Sequence, residues 1–381
     1  MRIIVFSGTG GSGVSTIAAG TACLLAASGK PTLVFGLERG LGAALDSLLD
    51  VEPQAVAENL DGVEGHGGLS SVDEFRDFLT MLLDFRNMDA ELGDDLSAVP
   101  GVSVIGRLLE LEALISSGDY QAAVVDAGAL THFLDLPAAL DAAARWLDRL
   151  FAPRQQTVFE PFLRAFAGDT VAAGEDVLDA GRELLGRLAT LRDLLTDPEV
   201  TSVRLVTTTS STAVDRMSEA LAVLGLFSYR ADVIIANRLL PETVDSVFFD
   251  GCRKRQTESV AALGELSPGP VVIGVDLQSA APRGQKTLTS LARGIWGKGD
   301  LTAFLAQTEE HSVARMGNNW ELRVFLPFAN RDDLRLEETD EGVAVHLNGR
   351  RCVLTLPEDV ASASAKSWTY EGRFLTVMLG R

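Results

Sequence analysis

Residues 6–16 read FSGTGGSGVST, and the rest of the chain is arranged around them. The run Arg2-Ile3-Ile4-Val5-Phe6 before them reads as a buried first strand, and residues 17–27 after them read as a helix. Strand, glycine-rich loop and helix in that order form the context in which a loop can cradle phosphate. Successive backbone N–H groups make a concave nest for an anion, and the helix N-terminus adds partial positive charge. Gly8, Gly10, Gly11 and Gly13 supply the turns, Ser12 stands among them, and Ser15-Thr16 closes the motif. The position before Ser15, where a working phosphate loop has lysine, is Val14.

The loop resembles GKGGVGKTT, the deviant phosphate loop of the ArsA and Get-pathway ATPases. That pattern carries two lysines, one in the usual place and one near the start that reaches across a dimer. Those positions are Val14 and Thr9 here. The chain has only five lysines, but drift away from lysine would favour arginine over valine or threonine. The resemblance implies an α/β fold: a P-loop NTPase-like (SIMIBI-type) sheet flanked by helices, with an inserted helical subdomain. It also implies Gly8, Gly10, Gly11, Ser12, Gly13, Ser15 and Thr16 as the nucleotide cradle.

Length and composition bound the reading. A chain of 381 residues divides into two or three domains at about 100–200 residues each. Its 46% hydrophobic content is ample for a large core. Lys+Arg 33 against Asp+Glu 53 leaves a net charge of −20, which argues against electrostatic binding to nucleic acid or anionic lipid. Cys23, Cys252 and Cys352 lie far apart, and His66, His132, His311 and His346 show no metal-ligand spacing. The thiolate cluster that a soft metalloid needs is therefore not signalled. Glycines break the N-terminal apolar run too early for a signal peptide, and no stretch reaches about 18 continuous apolar residues. The sequence reading places the chain in the cytoplasm, and not as an integral membrane protein.

Thr32-Leu33-Val34-Phe35 reads as the second strand. In the family this strand runs into a segment whose aspartate orients the attacking water. The aligned residue is Gly36, and Glu38 and Arg39 stand open either as substitutes or as ordinary first-turn helix residues. Residues 50–100 are acidic, with a mobile loop expected over 62–68. Ser71 caps a helix bearing Phe75, Phe78, Leu79, Leu82 and Leu83, and Pro100-Gly101 opens another. The family has acids just after such a Pro-Gly, where Ser103 and Val104 stand.

Residues 122–126, AAVVD, form an apolar strand ending in aspartate, as in the Walker-B pattern that supports Mg²⁺. The following DAGALTHFLD matches the family's DTAPTGHTLR at Asp126 and His132. Ser15 and Asp126 are thus the implied metal residues, while His132 taken alone reads more readily as structural. Residues 136–197 read as three helices, with stripes Leu136/Leu140/Ala143/Leu147/Leu150, Phe159/Phe162/Phe166 and Leu184/Leu188/Leu191/Leu195. Those stripes either pack on each other and on the sheet, or serve a dimer contact or shelter a hydrophobic client, as the family's targeting members do. Strands follow at 203–208, 231–236 and 271–275, with a closing helix at 285–295. Asn237-Arg238-Leu239-Leu240-Pro241 matches the family's NR-x-LP run, whose asparagine bonds adenine. An amide offers donor and acceptor together, so Asn237 and Arg238 join the expected nucleotide residues.

From residue 318 the period changes to two. Leu322/Val324/Leu326, Val343/Val345/Leu347, Cys352/Leu354/Leu356 and Leu375/Val377/Leu379 alternate with outward residues, with turns at Asn348-Gly349 and Glu371-Gly372. This is a small antiparallel β-sandwich, and it resembles the α-crystallin-type domain appended to some ArsA homologues. The expected layout is an NTPase-like domain over 1–296 with helical insertions at about 50–115 and 133–198, a linker over 297–317, and the sandwich over 318–381. The expected function is a non-hydrolysing pseudo-ATPase that acts by dimerisation and by binding protein or hydrophobic client. ATP or ADP with Mg²⁺ would bind weakly, in a homodimer or a heterodimer with an intact paralogue. The alternative is a weakly hydrolysing ATPase that drives a targeting, chaperone or anion-transport process.

Overall fold

The computed structural model describes residues 1–37, 60–63, 102–151, 171–244, 246–266, 269–306, 311–317, 319–339, 342–356, 360 and 363–380. Near-continuous apolar runs favour strands buried on both faces, and such strands pair in parallel under flanking helices. The chain follows that rule. Strands β1 (Arg2–Gly8), β2 (Thr32–Gly36), β3 (Leu60–Val63), β4 (Ala122–Ala129), β5 (Thr201–Thr207), β6 (Ala231–Leu239) and β7 (Val271–Asp276) form one sheet. Its order is β3-β2-β4-β1-β5-β6-β7, and each pairing is parallel.

Alternate residues of each strand face opposite layers. Ile4, Phe6, Val34 and Val124 pack under helix α1 (Val14–Ala27) and the later helix of residues Gln285–Trp296. Gly20 lets those two helices approach, since a Cβ there would sit 2.9 Å from the Leu288 carbonyl oxygen. Ile3, Val5, Leu33 and Val125 face the other layer. That layer contains α2 (Val102–Ser116), the short α3 (Leu130–Phe133), α4 (Leu136–Phe151), α5 (Val171–Thr196) and α6 (Ala213–Leu226). Arg187 of α5 bonds Glu112 at 2.9 Å and the Leu109 carbonyl at 2.8 Å, tying α5 to α2.

Leu184, Leu188, Leu191 and Leu195 are all buried, so this stripe packs into the core instead of opening toward a client. Leu136 and Leu140 are buried too. The phenylalanine stripe at 159–166, the helix expected from Ser71, and Glu38 and Arg39 lie outside the described residues. Gly62 and Val63, expected in a loop, instead close the edge strand β3 against Val34 and Phe35. Helix α7 (Asp250–Gly264) had no reading in the sequence, because it is polar and buries only Leu263. Helix α8 (Gln285–Trp296) closes the domain.

The segment read as a linker is built into the structure. Arg2 and Arg204 share the buried carboxylate of Asp232, at 3.9 and 3.5 Å. Their remaining donors reach past the sheet. Arg2 bonds the Thr302 carbonyl at 3.0 Å, Arg204 the Leu301 carbonyl at 3.2 Å, and Arg230 the Ala306 carbonyl at 3.0 Å. Arg2 and Arg230 stack on Phe304, and Arg204 on Trp296, with 3.8, 4.4 and 4.4 Å to the ring centroids. Strand β8 (Ser312–Met316) then enters the C-terminal sandwich, so the sandwich begins before residue 318.

That sandwich contains β9 (Asn319–Phe325), β10 (Arg335–Thr339), β11 (Gly342–Leu347), β12 (Arg350–Thr355), β13 (Ser364–Glu371) and β14 (Phe374–Gly380). One sheet has the order β10-β11-β12 and the other β13-β14-β9-β8. Asn348 and Gly349, at φ 51° and 78°, make the two-residue hairpin turn that the right-handed twist of strands prefers. The sandwich is seated against α6. Cys352 Sγ lies 3.5 Å from the Leu226 carbonyl, His311 Nε2 lies 2.9 Å from the Gly225 carbonyl, and Arg350 bonds Asp135 at 2.7 Å. A Cβ on Gly225 would come within 2.8 Å of the Phe325 carbonyl oxygen, so this close contact requires glycine.

Candidate nucleotide site

The loop leaves β1 at a place only glycine can occupy. A Cβ on Gly8 would lie 2.1 Å from the Val206 carbonyl oxygen of β5. That carbonyl also accepts from the Thr9 N–H and the Ser12 hydroxyl, each at 3.0 Å. Ser12 is fully buried, so its hydroxyl serves the loop and is not presented to a ligand. Gly11 and Gly13 take positive φ, 73° and 98°. Gly13 is the N-cap of α1, and its carbonyl accepts from Ile17 N–H at 3.1 Å. A Cβ on Gly10 or Gly11 would meet nothing within 4 Å, so this side of the loop is open. Ser15 and Thr16, half-buried, stand in the first turn of α1, where backbone N–H groups point outward.

The two lysine positions are occupied differently. Val14 is 8% exposed and packs with Ile4, Phe6 and Ile17, with its Cγ2 against Gly8. Its side chain is part of the core beneath the loop. Thr9 meets Thr207 of β5, oxygen to oxygen at 3.4 Å. Neither residue supplies a cation.

Asp126 sits in β4 between Phe6 of β1 and Gly36 of β2, fully buried. Its Oδ1 accepts from Gly128 N–H at 3.0 Å, and its carbonyl accepts from Leu37 N–H at 2.8 Å. Ser7 donates to the Gly128 carbonyl at 3.1 Å, so the turn after β4 is fastened to the start of the loop. His132 is exposed on α3. Gly36, aligned with the water-orienting aspartate, has no side chain to offer, and its carbonyl accepts from Arg107.

Arg107 was missed by the sequence reading. It is 4% exposed, and its guanidinium stacks on Phe35 with 5.1 Å to the ring centroid. The available signal was one arginine directly before the buried Leu108 and Leu109 of α2. Asn237, expected to bond adenine, lies beside the loop, where its amide is engaged. Nδ2 donates to the Ser12 carbonyl at 2.7 Å, and Oδ1 accepts from Arg238 N–H at 2.9 Å. Arg238 is exposed and holds φ 62°, a left-handed conformation uncommon outside glycine.

The backbone thus fits an anion: positive-φ glycines, an open rim and a 14-residue helix behind it. The side chains do not fit the charge of a reacting triphosphate, because no lysine stands at either expected position. Burial pushes the thiols of Cys23 and Cys352 up to about 12, so neither is a thiolate ligand at neutral pH. Among the described residues, no group of three His, Cys, Asp or Glu side chains is placed to hold a metal, and no helix is long and apolar enough to cross a membrane.

Comparison with known proteins gives two family matches. The anion-transporting ATPase family matches residues 1–297, and the HSP20-like domain found in ArsA matches residues 317–379. A putative arsenical pump-driving ATPase of Prosthecochloris vibrioformis is 24% identical over 391 residues, covering 99% of this chain and 95% of its own. A putative arsenical pump-driving ATPase of Aquifex aeolicus is 22% identical, with 94% of each chain covered. An uncharacterized protein of Streptomyces coelicolor is 31% identical over 252 residues, or 64% of this chain and 63% of its own.

Proposed function

The chain belongs to the anion-transporting ATPase family, and we propose that it is a non-hydrolysing member, binding adenine nucleotide weakly and acting through a second protein. One observation carries this reading: Val14, at the lysine position, is packed into the core beneath the loop. The cradle formed by Gly8, Gly10, Gly11, Gly13, Ser15 and Thr16 would receive the phosphates on backbone N–H groups. Ser15 and Asp126 would stand toward a bound Mg²⁺, which would draw charge from the phosphate oxygens.

Phosphoryl transfer is catalysed by positioned cations and donors, and losing one such donor costs about 10²–10³ in rate. Two lysines and the water-orienting aspartate are replaced here by Thr9, Val14 and Gly36. Binding suffers less. A charge-assisted hydrogen bond is worth about 1.5–3 kcal/mol net, so its loss weakens affinity by about one to two decades. The function then rests on occupancy and pairing, with a second copy or with an intact paralogue in the cytoplasm whose own lysines complete a shared site. The leucine stripe of α5 is used within the core, so a partner engages another surface.

Calorimetry with ATP and Mg²⁺, alongside phosphate-release assays on the same sample, tests the proposal. Weak binding with no phosphate release above buffer is the expected result. Release near 1 s⁻¹, a rate of order typical for enzymes, abolished in Ser15→Ala, would overturn it.

A further inference from the structure

Beyond the nucleotide loop, on the far side of the strand that carries Asp126, lies a cavity of about 190 Å³. Leu37 and Ala127 line it from the ends of β2 and β4, Ile105 and Leu108 from α2, and Leu136 and Leu140 from α4. Asp135 also borders it, but its carboxylate is held by Arg350 of the sandwich at 2.7 Å. The remaining wall is almost wholly apolar apart from His132 at the exposed rim.

The cavity opens to the surface beside His132 and Ala139, and its apolar lining offers few hydrogen-bonding groups. A charged or strongly polar molecule would lose its hydration there without replacement. A volume of about 190 Å³ matches one ring or a short branched alkyl group.

We propose that this cavity is a binding site for one small neutral apolar molecule, of the size of a single aromatic ring. Its occupant would touch Ala127, which follows Asp126, and Leu37, whose N–H bonds the Asp126 carbonyl at 2.8 Å. The ligand therefore bears on the strand end that reaches toward the nucleotide loop, on the face opposite α1. Direct binding needs no nucleotide, so its failure and the failure of the non-hydrolysing reading are separate results.

The test uses the full chain with ¹³C-labelled methyl groups, titrated with toluene and with benzoate as the charged counterpart. Toluene should shift the methyl signals of Ala127, Leu108 and Leu136 saturably, and benzoate should not. Ala139 is exposed on α4 at the edge of the cavity, so Ala139→Trp should obstruct it without disturbing the core. This variant should weaken toluene binding at least tenfold, with an unchanged melting temperature. Ala139→Ser, which leaves the entrance open, should bind as the parent does. Shifts that do not saturate, equal binding of benzoate, or undiminished binding by a folded Ala139→Trp would each overturn the proposal.

Discussion

Asn237, at the end of β6, holds the carbonyl of Ser12, in the phosphate loop, at 2.7 Å. The same amide accepts from Arg238 N–H at 2.9 Å, so a residue expected to read adenine fixes the loop that would carry the phosphates. Asn237→Ala removes the donor from a buried carbonyl, which costs about 1–3 kcal/mol when the partner is left unsatisfied. Asn237→Asp places a carboxylate against that carbonyl and should be worse. Thermal unfolding should rank the parent above Ala above Asp. An unchanged melting temperature in both variants would show that the contact does not hold the loop.

Restoring charge at the loop should restore grip. Val14→Lys puts an ammonium at the family's lysine position, and one charge-assisted bond is worth about 1.5–3 kcal/mol. ATP affinity should rise by about tenfold or more, measured by calorimetry. The same change withdraws an apolar side chain from beside Ile4, Phe6 and Ile17, so stability should fall in the same variant. Weaker nucleotide binding with the fold intact would contradict the account of the lost lysine.

Much of this arrangement was legible in the sequence. The loop, strands β1, β2 and β4, and the alternation of the sandwich are local patterns, because period and turn chemistry operate over a few residues. Other features depend on residues far apart. Arg2, Arg204 and Asp232 come together only when β1, β5 and β6 pair. Nothing at residues 301–306 marks them as a strap. Strand β3 is four residues long and contains an aspartate and a glycine, which read as a turn. The NR-x-LP run marks Asn237 for adenine, while its engagement with Ser12 depends on loop geometry that spacing does not carry.

Asp232→Asn should be severe. Burial lowers the proton affinity of the Arg204 guanidinium, and the Asp232 carboxylate offsets that. Removing the carboxylate charge between two buried guanidiniums typically costs about 3–5 kcal/mol. Denaturant unfolding should register a loss of that order. A loss below about 1 kcal/mol would mean that the pair is better hydrated than its burial implies.

The contact between α6 and the sandwich should weaken in acid. Burial holds the His311 imidazole below its ordinary 6.5, while its bond to the Gly225 carbonyl pulls the other way. The native state therefore takes up its proton later than the unfolded chain does. No penalty arises well above pH 6.5, and stability is lost as pH falls through 6.5 toward the depressed native value. Melting temperatures from pH 8 to pH 5 should drop for the parent more steeply than for His311→Gln. Parallel curves would remove this histidine from the explanation.

Gly225→Ala tests the same seam sterically. The added carbon would sit 2.8 Å from the Phe325 carbonyl oxygen and 2.9 Å from Pro327 Cδ. Backbone must move, and overpacking of this kind costs about 1–3 kcal/mol. Limited proteolysis should release the sandwich sooner than in the parent. Equal digestion rates would place the seam elsewhere.

The strap over residues 301–306 has a practical consequence for anyone who wishes to study either half by itself. A fragment ending after Trp296 would strip Arg2, Arg204 and Arg230 of four of their backbone acceptors and the Phe304 ring. Asp232 would still hold Arg2 and Arg204, and the Pro198 carbonyl would still hold Arg230, but the three guanidiniums would be left partly unsatisfied, making such a fragment prone to misfolding and precipitation. The smallest workable NTPase-like piece ends no earlier than Ala306.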